Sequence, residues 1–458
     1  MRKATTGSLH IYIMDINQLT KVLYKEYAST EGGVSVNFRE IFPFLNKGDR
    51  YSHSIHPYPA KLIPHIPYFF LNNENFIRKG EVVLDPFCGS GTTLLEANLQ
   101  GINSYGVDSN PLARLISNCK TEVLSEKIAY RKLHQIISYA PTVIKAKNPQ
   151  FTNIDIWFSP RVKDELAKLL VSIKQINKGK YQNFFLICFS ALLHKVSYTD
   201  PRISVPVRIN VNRYAQRSRG RAHAEELIER IDKIDVLSTF ENICNTNIKR
   251  IASLNDIENL GETKIISKDA RKLTNSLRSH SKLNNDSVDL VLTSPPYASA
   301  QKYIRSSSLS LYWLSMLEGK SLVEMDADNI GHENYRKDSI KKQLVGIKSA
   351  DEVIEKIFEK NQLRGKIVSQ YLLDMEMALD ESVRVLKHGR CLILVIGNNK
   401  VCGYEFNTKR YLSEYLISRG MVLELELIDD IKSYGLMTKR NKTASIITRE
   451  WILVFRKR

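Results

Sequence analysis

The chain has no closely paired cysteines. Six occur, at 88, 119, 188, 244, 391 and 402, and no two form a CxxC pair. That argues against a zinc site, so no metal is expected. Six dispersed thiols in 458 residues do not make a disulfide framework, and a reducing, cytoplasmic setting fits them. Long apolar runs are missing as well. The longest, Phe184–Leu193, is interrupted by Ser190 and is too short to cross a bilayer. The first residues mix His10, Asp15 and Asn17 among apolar ones, unlike a secretory signal, so no membrane partner is expected. There is no internal repeat and no low-complexity tract. Acids are scarce relative to bases: 49 Asp and Glu stand against 67 Lys and Arg, a formal net charge of +18. Such an excess favours a polyanionic partner, of which nucleic acid is the commonest.

What is present is an ordinary globular composition, with 43% hydrophobic residues, enough for a sizeable core. The length suggests about two or three domains at ~150 residues each. Residues 1–50 read as a leader of mixed strand and helix. From Glu81, short apolar strands alternate with helical stretches. Glu81–Asp85 reads as a buried strand, Thr92–Leu99 as a helix closed by Gly101, Ser104–Asp108 as the next strand, and Pro111 opens another helix. Alternation of this kind predicts a parallel sheet with right-handed crossovers. It stops over 119–262, which reads as helical and charged. It resumes at Lys264–Asp269 and continues through Val288–Thr293, Cys391–Gly397, Met421–Ile428 and Trp451–Phe455. The expected architecture is therefore α/β: a doubly wound, mostly parallel, seven-stranded sheet. Its first part covers 51–118, a largely helical insertion covers 119–262, and its second part covers 263–458. A charged excursion at 318–370 reads as a solvated helical hairpin in preference to a mobile loop over the site.

The turn Asp85-Pro86-Phe87-Cys88-Gly89-Ser90-Gly91 joins a strand to a helix, where glycines let a ligand approach the backbone. It is not a P-loop, since Thr92 and Thr93 stand where that loop needs Lys. It is not the dinucleotide fingerprint either, since Leu94 replaces the third glycine. An acid that ends the strand before the glycines suits a methyl-donor nucleotide. Asp108, 23 residues after Asp85, is positioned to accept the ribose hydroxyls, and Asp269, followed by Ala270, the amine of an adenine ring. The stiff, proline-rich segment Ser54–Pro64 is expected to pack over the glycine turn, with Lys61 reaching a cofactor carboxylate or phosphate. His53, His56 and His65 read as packing or surface residues.

The strand Val288–Thr293 runs into Ser294-Pro295-Pro296-Tyr297. An exocyclic amine on cytosine or adenine is a poor nucleophile, because its lone pair is delocalised into the ring. The Ser294 hydroxyl and the Pro295 carbonyl can accept its two N–H groups, and the Pro295-Pro296 pair fixes where that carbonyl points. Tyr297 can stack on an extruded base. Positioning then supplies much of the rate, and neither a covalent intermediate nor a metal is required. No Pro-Cys dipeptide occurs, which argues against a cysteine nucleophile attacking ring carbon. Asn398 and Asn399 read as turn residues.

These motifs resemble a known family, the amino-methylating DNA methyltransferases of restriction–modification and related defence systems. Asp85–Thr93 is similar to that family's cofactor motif, Gly106–Pro111 to its ribose motif, and Thr293–Tyr297 to its catalytic motif. Ala60–Pro64 is similar to the segment that packs on the methionine moiety, and Arg384–Arg390 to the turn before the fifth strand. The resemblance implies a class I (Rossmann-like) methyltransferase fold. Its expected cofactor is S-adenosyl-L-methionine, held by Lys61, Asp85, Pro86, Phe87, Cys88, Gly89, Ser90, Gly91, Thr92, Asp108, Ser109, Asp269 and Ala270. Catalysis would fall to Ser294, Pro295, Pro296 and Tyr297. Serine in the first catalytic place is the version associated with cytosine N4, by in-line attack of a flipped base in duplex DNA. Adenine N6, an RNA base, and a non-catalytic nucleic-acid-binding subunit remain open as alternatives. A cognate restriction endonuclease or defence-system subunit is an open partner. The long insertion departs from the family pattern.

Within that insertion, Pro201–Arg221 carries six arginines and no acid: Arg202, Arg208, Arg213, Arg217, Arg219 and Arg221. Arginine suits phosphates and guanine edges, so this run is the expected DNA contact. The alternation Ile203, Val205, Val207, Ile209, Val211 predicts a strand with one buried face. Lys439, Arg440 and Lys442 form a weaker basic patch.

Overall fold

The computed structural model describes residues 15–46, 50–59, 61–151, 153–298, 303–430 and 448–458. Among the described residues ten strands are formed: β1 Val34–Ser35, β2 Val82–Asp85, β3 Asn103–Val107, β4 Thr263–Ser267, β5 Val288–Thr293, β6 Leu386–Ile396, β7 Asn399–Val401, β8 Tyr404–Phe406, β9 Met421–Asp430 and β10 Arg449–Lys457. Strands β7 and β8 make a small hairpin, and the other eight build one sheet in the order β1-β9-β10-β6-β5-β2-β3-β4. Only β10 runs antiparallel to its neighbours β6 and β9. The mixed, parallel-dominated sheet fits a class I methyltransferase-like fold. The sequence pattern gives seven strands. The eighth, β1, is two residues of the expected leader, paired in parallel with Leu427 and Ile428.

Two layers of helix cover the sheet. On one face, Phe38, Phe69 and Phe70 pack against Val83, Leu290, Ile393 and Val454. The described part of the leader is thus one wall of the core, because strands this apolar must be covered on both faces. On the other face lie the helices Gln362–Val385 and Thr408–Ser418. Every residue of β5 is buried, including Asp289, whose carboxylate accepts the Lys387 Nζ at 2.7 Å. The expected turn at Arg384–Arg390 is absorbed into a register shift of β6 against β5, with Gly389 at a φ of +74°.

Between β3 and β4 run the helices Glu126–Tyr139, Pro160–Lys174, Lys180–Lys195, Arg219–Lys233 and Val236–Ala252. Phe184, Phe185 and Phe189 from Lys180–Lys195 fill a core shared with Ile116, Phe240 and Trp313. The run that looked like the chain's longest apolar stretch is therefore a helix buried on nearly every side. The strand expected over 203–211 does not form. One isolated bridge joins Thr199 to Arg208, and Val211–Arg213 is a 3₁₀ turn. Pro206 lacks an N–H for a ladder, and the alternating residues share no face: Ile209 is buried while Ile203 is exposed. The excursion at 318–370 holds the helices Leu322–Ala327 and Lys348–Lys360, the latter pairing with Gln362–Val385 as a hairpin. Lys439, Arg440 and Lys442 lie outside the described residues. Among the described residues no helix is long and apolar enough to cross a membrane.

Candidate active site

The chain passes from β2 to β3 and β4 on one side, then returns to β5 and β6 on the other. Ligands of open α/β sheets bind where the strand order reverses in this way, outside the carboxyl ends. Asp85 ends β2 there and Ser294 follows β5.

Asp85 is buried beneath that edge. Its Oδ1 accepts the Thr293 hydroxyl at 2.6 Å and the Phe87 N–H at 3.1 Å, tying the ends of β2 and β5 together. Burial pushes its carboxyl up to about 6, against these hydrogen bonds. The following turn needs its glycines: Gly89 and Gly91 have φ of +50° and +77°. A Cβ on Gly91 would stand 3.0 Å from the Ser117 Cα of the helix Pro111–Thr121. Cys88, Ser90 and Thr92 are buried on the inner side of the turn. The Cys88 N–H donates to the Val107 carbonyl at 2.9 Å, and burial drives its thiol well above the usual range. Ser90 Oγ accepts from the wholly buried Lys120 Nζ at 3.4 Å.

Asp108 follows β3 and is half-buried. Its carboxylate accepts the N–H groups of Gly89 at 3.0 Å and Asn110 at 2.8 Å. Burial raises its carboxyl to about 6. Asn110 caps the helix Pro111–Thr121, and its amide also donates to Tyr58 Oη at 3.2 Å and Ser307 Oγ at 3.0 Å. Ser109 donates to the Asn329 side chain. Asp269, after β4, is gripped by Arg271: Nε donates to Oδ1 at 2.9 Å and Nη2 to Oδ2 at 3.1 Å. Lys61 turns to backbone, donating to the His56 carbonyl at 2.6 Å, and burial lowers its amine to about 8. Ala60 lies outside the described residues. The three histidines are packing residues: His53 meets Glu96, His56 meets Ser190, and His65 meets Asn46.

On the catalytic side, Tyr297 donates its hydroxyl to Glu450 Oε1 of β10 at 2.7 Å, and its ring packs against the apolar core. Asn399 donates to the Ala298 carbonyl at 2.6 Å and so anchors the loop just past Tyr297.

One cleft joins the two ends. Of the predicted residues, Pro86, Phe87, Gly89, Asp108, Ser109, Asp269, Ala270, Ser294 and Pro296 line it, whereas Asp85, Cys88, Ser90, Gly91, Thr92, Lys61, Pro295 and Tyr297 do not. Sequence reasoning missed Tyr58, Asn110, Tyr303, Asn329 and Ile330, which also line it. Tyr58 was signalled by its proline-rich segment and Asn110 by its place before Pro111. Nothing local marks Asn329 or Ile330, which arrive from the excursion some 220 residues after Ser109. Of the arginine run, Arg202, Arg208, Arg213, Arg217 and Arg219 are exposed and Arg221 is half-buried. Among the described residues no cluster of His, Cys, Asp or Glu could hold a metal.

Comparison with known proteins points the same way. Residues 16–118 match a family model described as DNA methylase. The chain is 25% identical over 390 residues to the Type II methyltransferase M.MvaI of Kocuria varians, covering 81% of this chain and 82% of that protein. It is 27% identical over 265 residues to the Type II methyltransferase M.BsoBI of Geobacillus stearothermophilus, covering 53% and 49% of the two chains. A shorter stretch of 107 residues is 36% identical to the Type II methyltransferase M.MjaII of Methanocaldococcus jannaschii, 23% of this chain and 19% of that one. The family match takes in most of the expected leader and ends just past Asp108–Asn110. The chain is thus similar to DNA methylases where its glycine turn lies, and to Type II methyltransferases over most of its length.

Proposed function

We propose that this chain is a site-specific DNA methyltransferase that carries a methyl group from S-adenosyl-L-methionine to the exocyclic N4 amine of cytosine. The observation that carries this reading is the shared cleft: Ser294 and Pro296 line the same cavity as Gly89, Asp108 and Asp269. The family match and the Type II relatives support DNA methylation, with S-adenosylmethionine as the implied donor.

The cleft suits that cofactor. A Cβ added to Gly89 would find only the Tyr58 Cε1, at 3.9 Å, so the backbone edge is open to a ligand. Asp108 offers a half-buried carboxylate, which in ionised form accepts ribose hydroxyls. Phe87, Ala270 and Ile330 supply apolar walls for a purine. When bound, the cofactor supplies an electrophilic methyl group. Ser294 Oγ and the Pro295 carbonyl accept the N–H groups of the target amine, returning lone-pair density to its nitrogen. Thr293, held on Asp85, fixes the start of that loop, and Asn399 fixes its far side. Tyr297 stacks on the extruded base once released from Glu450, and the arginines of the insertion hold the duplex.

The test is digestion and mass analysis of DNA from cells expressing the protein. N4-methylcytosine is expected. N6-methyladenine alone would make the amine that of adenine. Methyl transfer to RNA alone would move the substrate class, and absence of S-adenosylmethionine binding would leave only a binding subunit.

A further inference from the structure

The arginine run builds a pocket of its own, away from the residues of the methyl-transfer cleft. A loop from Tyr198 to Ile209 doubles back on itself, with the Ile209 N–H on the Tyr198 carbonyl at 2.9 Å and the Asp200 N–H on the Val207 carbonyl at 2.8 Å. It sits on a small separate core of Ile209, Ala224, Leu227 and Ile231. Between this loop and the helix Arg219–Lys233 lies a pocket walled by Arg202, Arg208, Arg213, Asn210, Tyr214 and His223. Three arginines and one carboxylate, Asp200, line it.

That carboxylate is already spent on orientation. Arg202 Nε donates to Asp200 Oδ1 at 2.9 Å, and its Nη2 donates to Oδ2 at 2.6 Å and to Tyr214 Oη at 2.8 Å. The guanidinium is thereby fixed in plane, with only Nη1 left to donate outward. Arg208 is held over the Tyr198 ring at 5.7 Å, and the Tyr198 hydroxyl is anchored on Asp232. Gly220 lets the start of the helix close on Tyr214: a Cβ there would stand 2.5 Å from the ring. The positive end of a 15-residue helix therefore adds to the guanidinium charge.

We propose that this pocket is a preformed site for a backbone phosphate of nucleic acid. A backbone phosphodiester, a monoanion with two exposed oxygens, suits convergent single donors from Arg202, Arg208 and Arg213. A guanine edge would require a paired fork, which Arg202 has committed to Asp200. The site positions the duplex and does not read its sequence. The proposal rests on the reading of DNA as substrate, but it has its own readout.

The test is duplex binding by fluorescence anisotropy across salt concentrations, on the full chain without S-adenosylmethionine so that no methyl is transferred. Adding Arg208→Ala and Arg213→Ala is expected to weaken binding about tenfold on unrelated duplexes alike and to flatten the log–log salt slope by about 1, one phosphate's worth. Affinity for S-adenosylmethionine should stay unchanged, and Arg208→Lys with Arg213→Lys should keep most of the slope. An unchanged slope overturns the proposal. A loss confined to one sequence overturns it in favour of a base-reading site. Protection by millimolar inorganic phosphate with no effect of the variants on DNA would make it a small-anion site only. Failure of the unmodified chain to transfer methyl to DNA or RNA, with the slope change intact in the arginine variants, would sink the proposed function and leave the phosphate site standing.

Discussion

Replacing Asp108 with Asn tests the cofactor end most directly. In the native chain its carboxylate accepts the Gly89 and Asn110 N–H groups on separate oxygens and still faces the cleft. Asn keeps the shape but turns one acceptor into a donor, which must confront either a backbone N–H or a ribose hydroxyl. A hydrogen bond to a charged group contributes about 1.5–3 kcal/mol. Asp108 is partly buried and keeps some solvent access, so one such contribution is the appropriate total. At 1.4 kcal/mol per factor of ten, S-adenosylmethionine should bind about ten- to hundredfold more weakly. The pH dependence gives a second reading. The raised carboxyl, at about 6 in the free protein, is ionised above that pH and protonated below it. Wild-type affinity should therefore be level above pH 7 and fall by up to about tenfold per unit below pH 6, whereas the Asn variant should lack that fall. Calorimetric titration at pH 8, 6.5 and 5.5 measures both. An Asn variant with native affinity, or with an undiminished acid fall, would refute the assignment of Asp108 to the ribose.

Three further outcomes are expected. Ser294→Ala should slow single-turnover methyl transfer about 100-fold, the cost of losing one aimed polar contact, while S-adenosylmethionine affinity changes less than about twofold; equal losses would mean that Ser294 belongs to the cofactor site. Asn399→Ala removes the 2.6 Å bond to the Ala298 carbonyl and should cost about 1–3 kcal/mol in denaturant unfolding, with slower transfer and unchanged cofactor affinity. Asp85→Asn should stabilise the ligand-free protein at pH 8. The folded carboxyl is raised from 3.8 to about 6, so its favourable contribution is present at low pH and is lost as pH rises through 6. Asn keeps both bonds to Oδ1 without the buried charge. A gain of about 2–3 kcal/mol at pH 8, shrinking toward pH 5, is the expected pattern in urea titrations.

The motifs that carry chemistry were legible because they are local. A strand of three apolar residues, Val82, Val83 and Leu84, an acid at its tip and glycines at fixed offsets name a turn before any fold is known, and Gly89 and Gly91 do adopt the left-handed backbone that the turn needs. The leader was opaque for the opposite reason: Phe38 and Val34 look like any apolar residues until the sheet they cover exists. The strand over 203–211 was misread because alternation alone cannot tell a ladder from a loop whose pairing stops at a single bridge.

The sequence by itself determined the alternating strands and helices, the glycine turn behind β2, the serine-proline loop behind β5 and the surplus of positive charge. Tertiary structure alone decided which polar groups face the cleft. Asp85 and Asp108 are equivalent on paper, each an acid at a strand tip. One is buried as a tie between β2 and β5, while the other stays open to the cavity. Likewise, only the folded chain brings Asn329 onto Ser109 and turns Tyr297 toward Glu450. The physical reason is distance along the chain. Backbone preference acts over a few residues, whereas a cavity wall is set by packing between segments hundreds of residues apart.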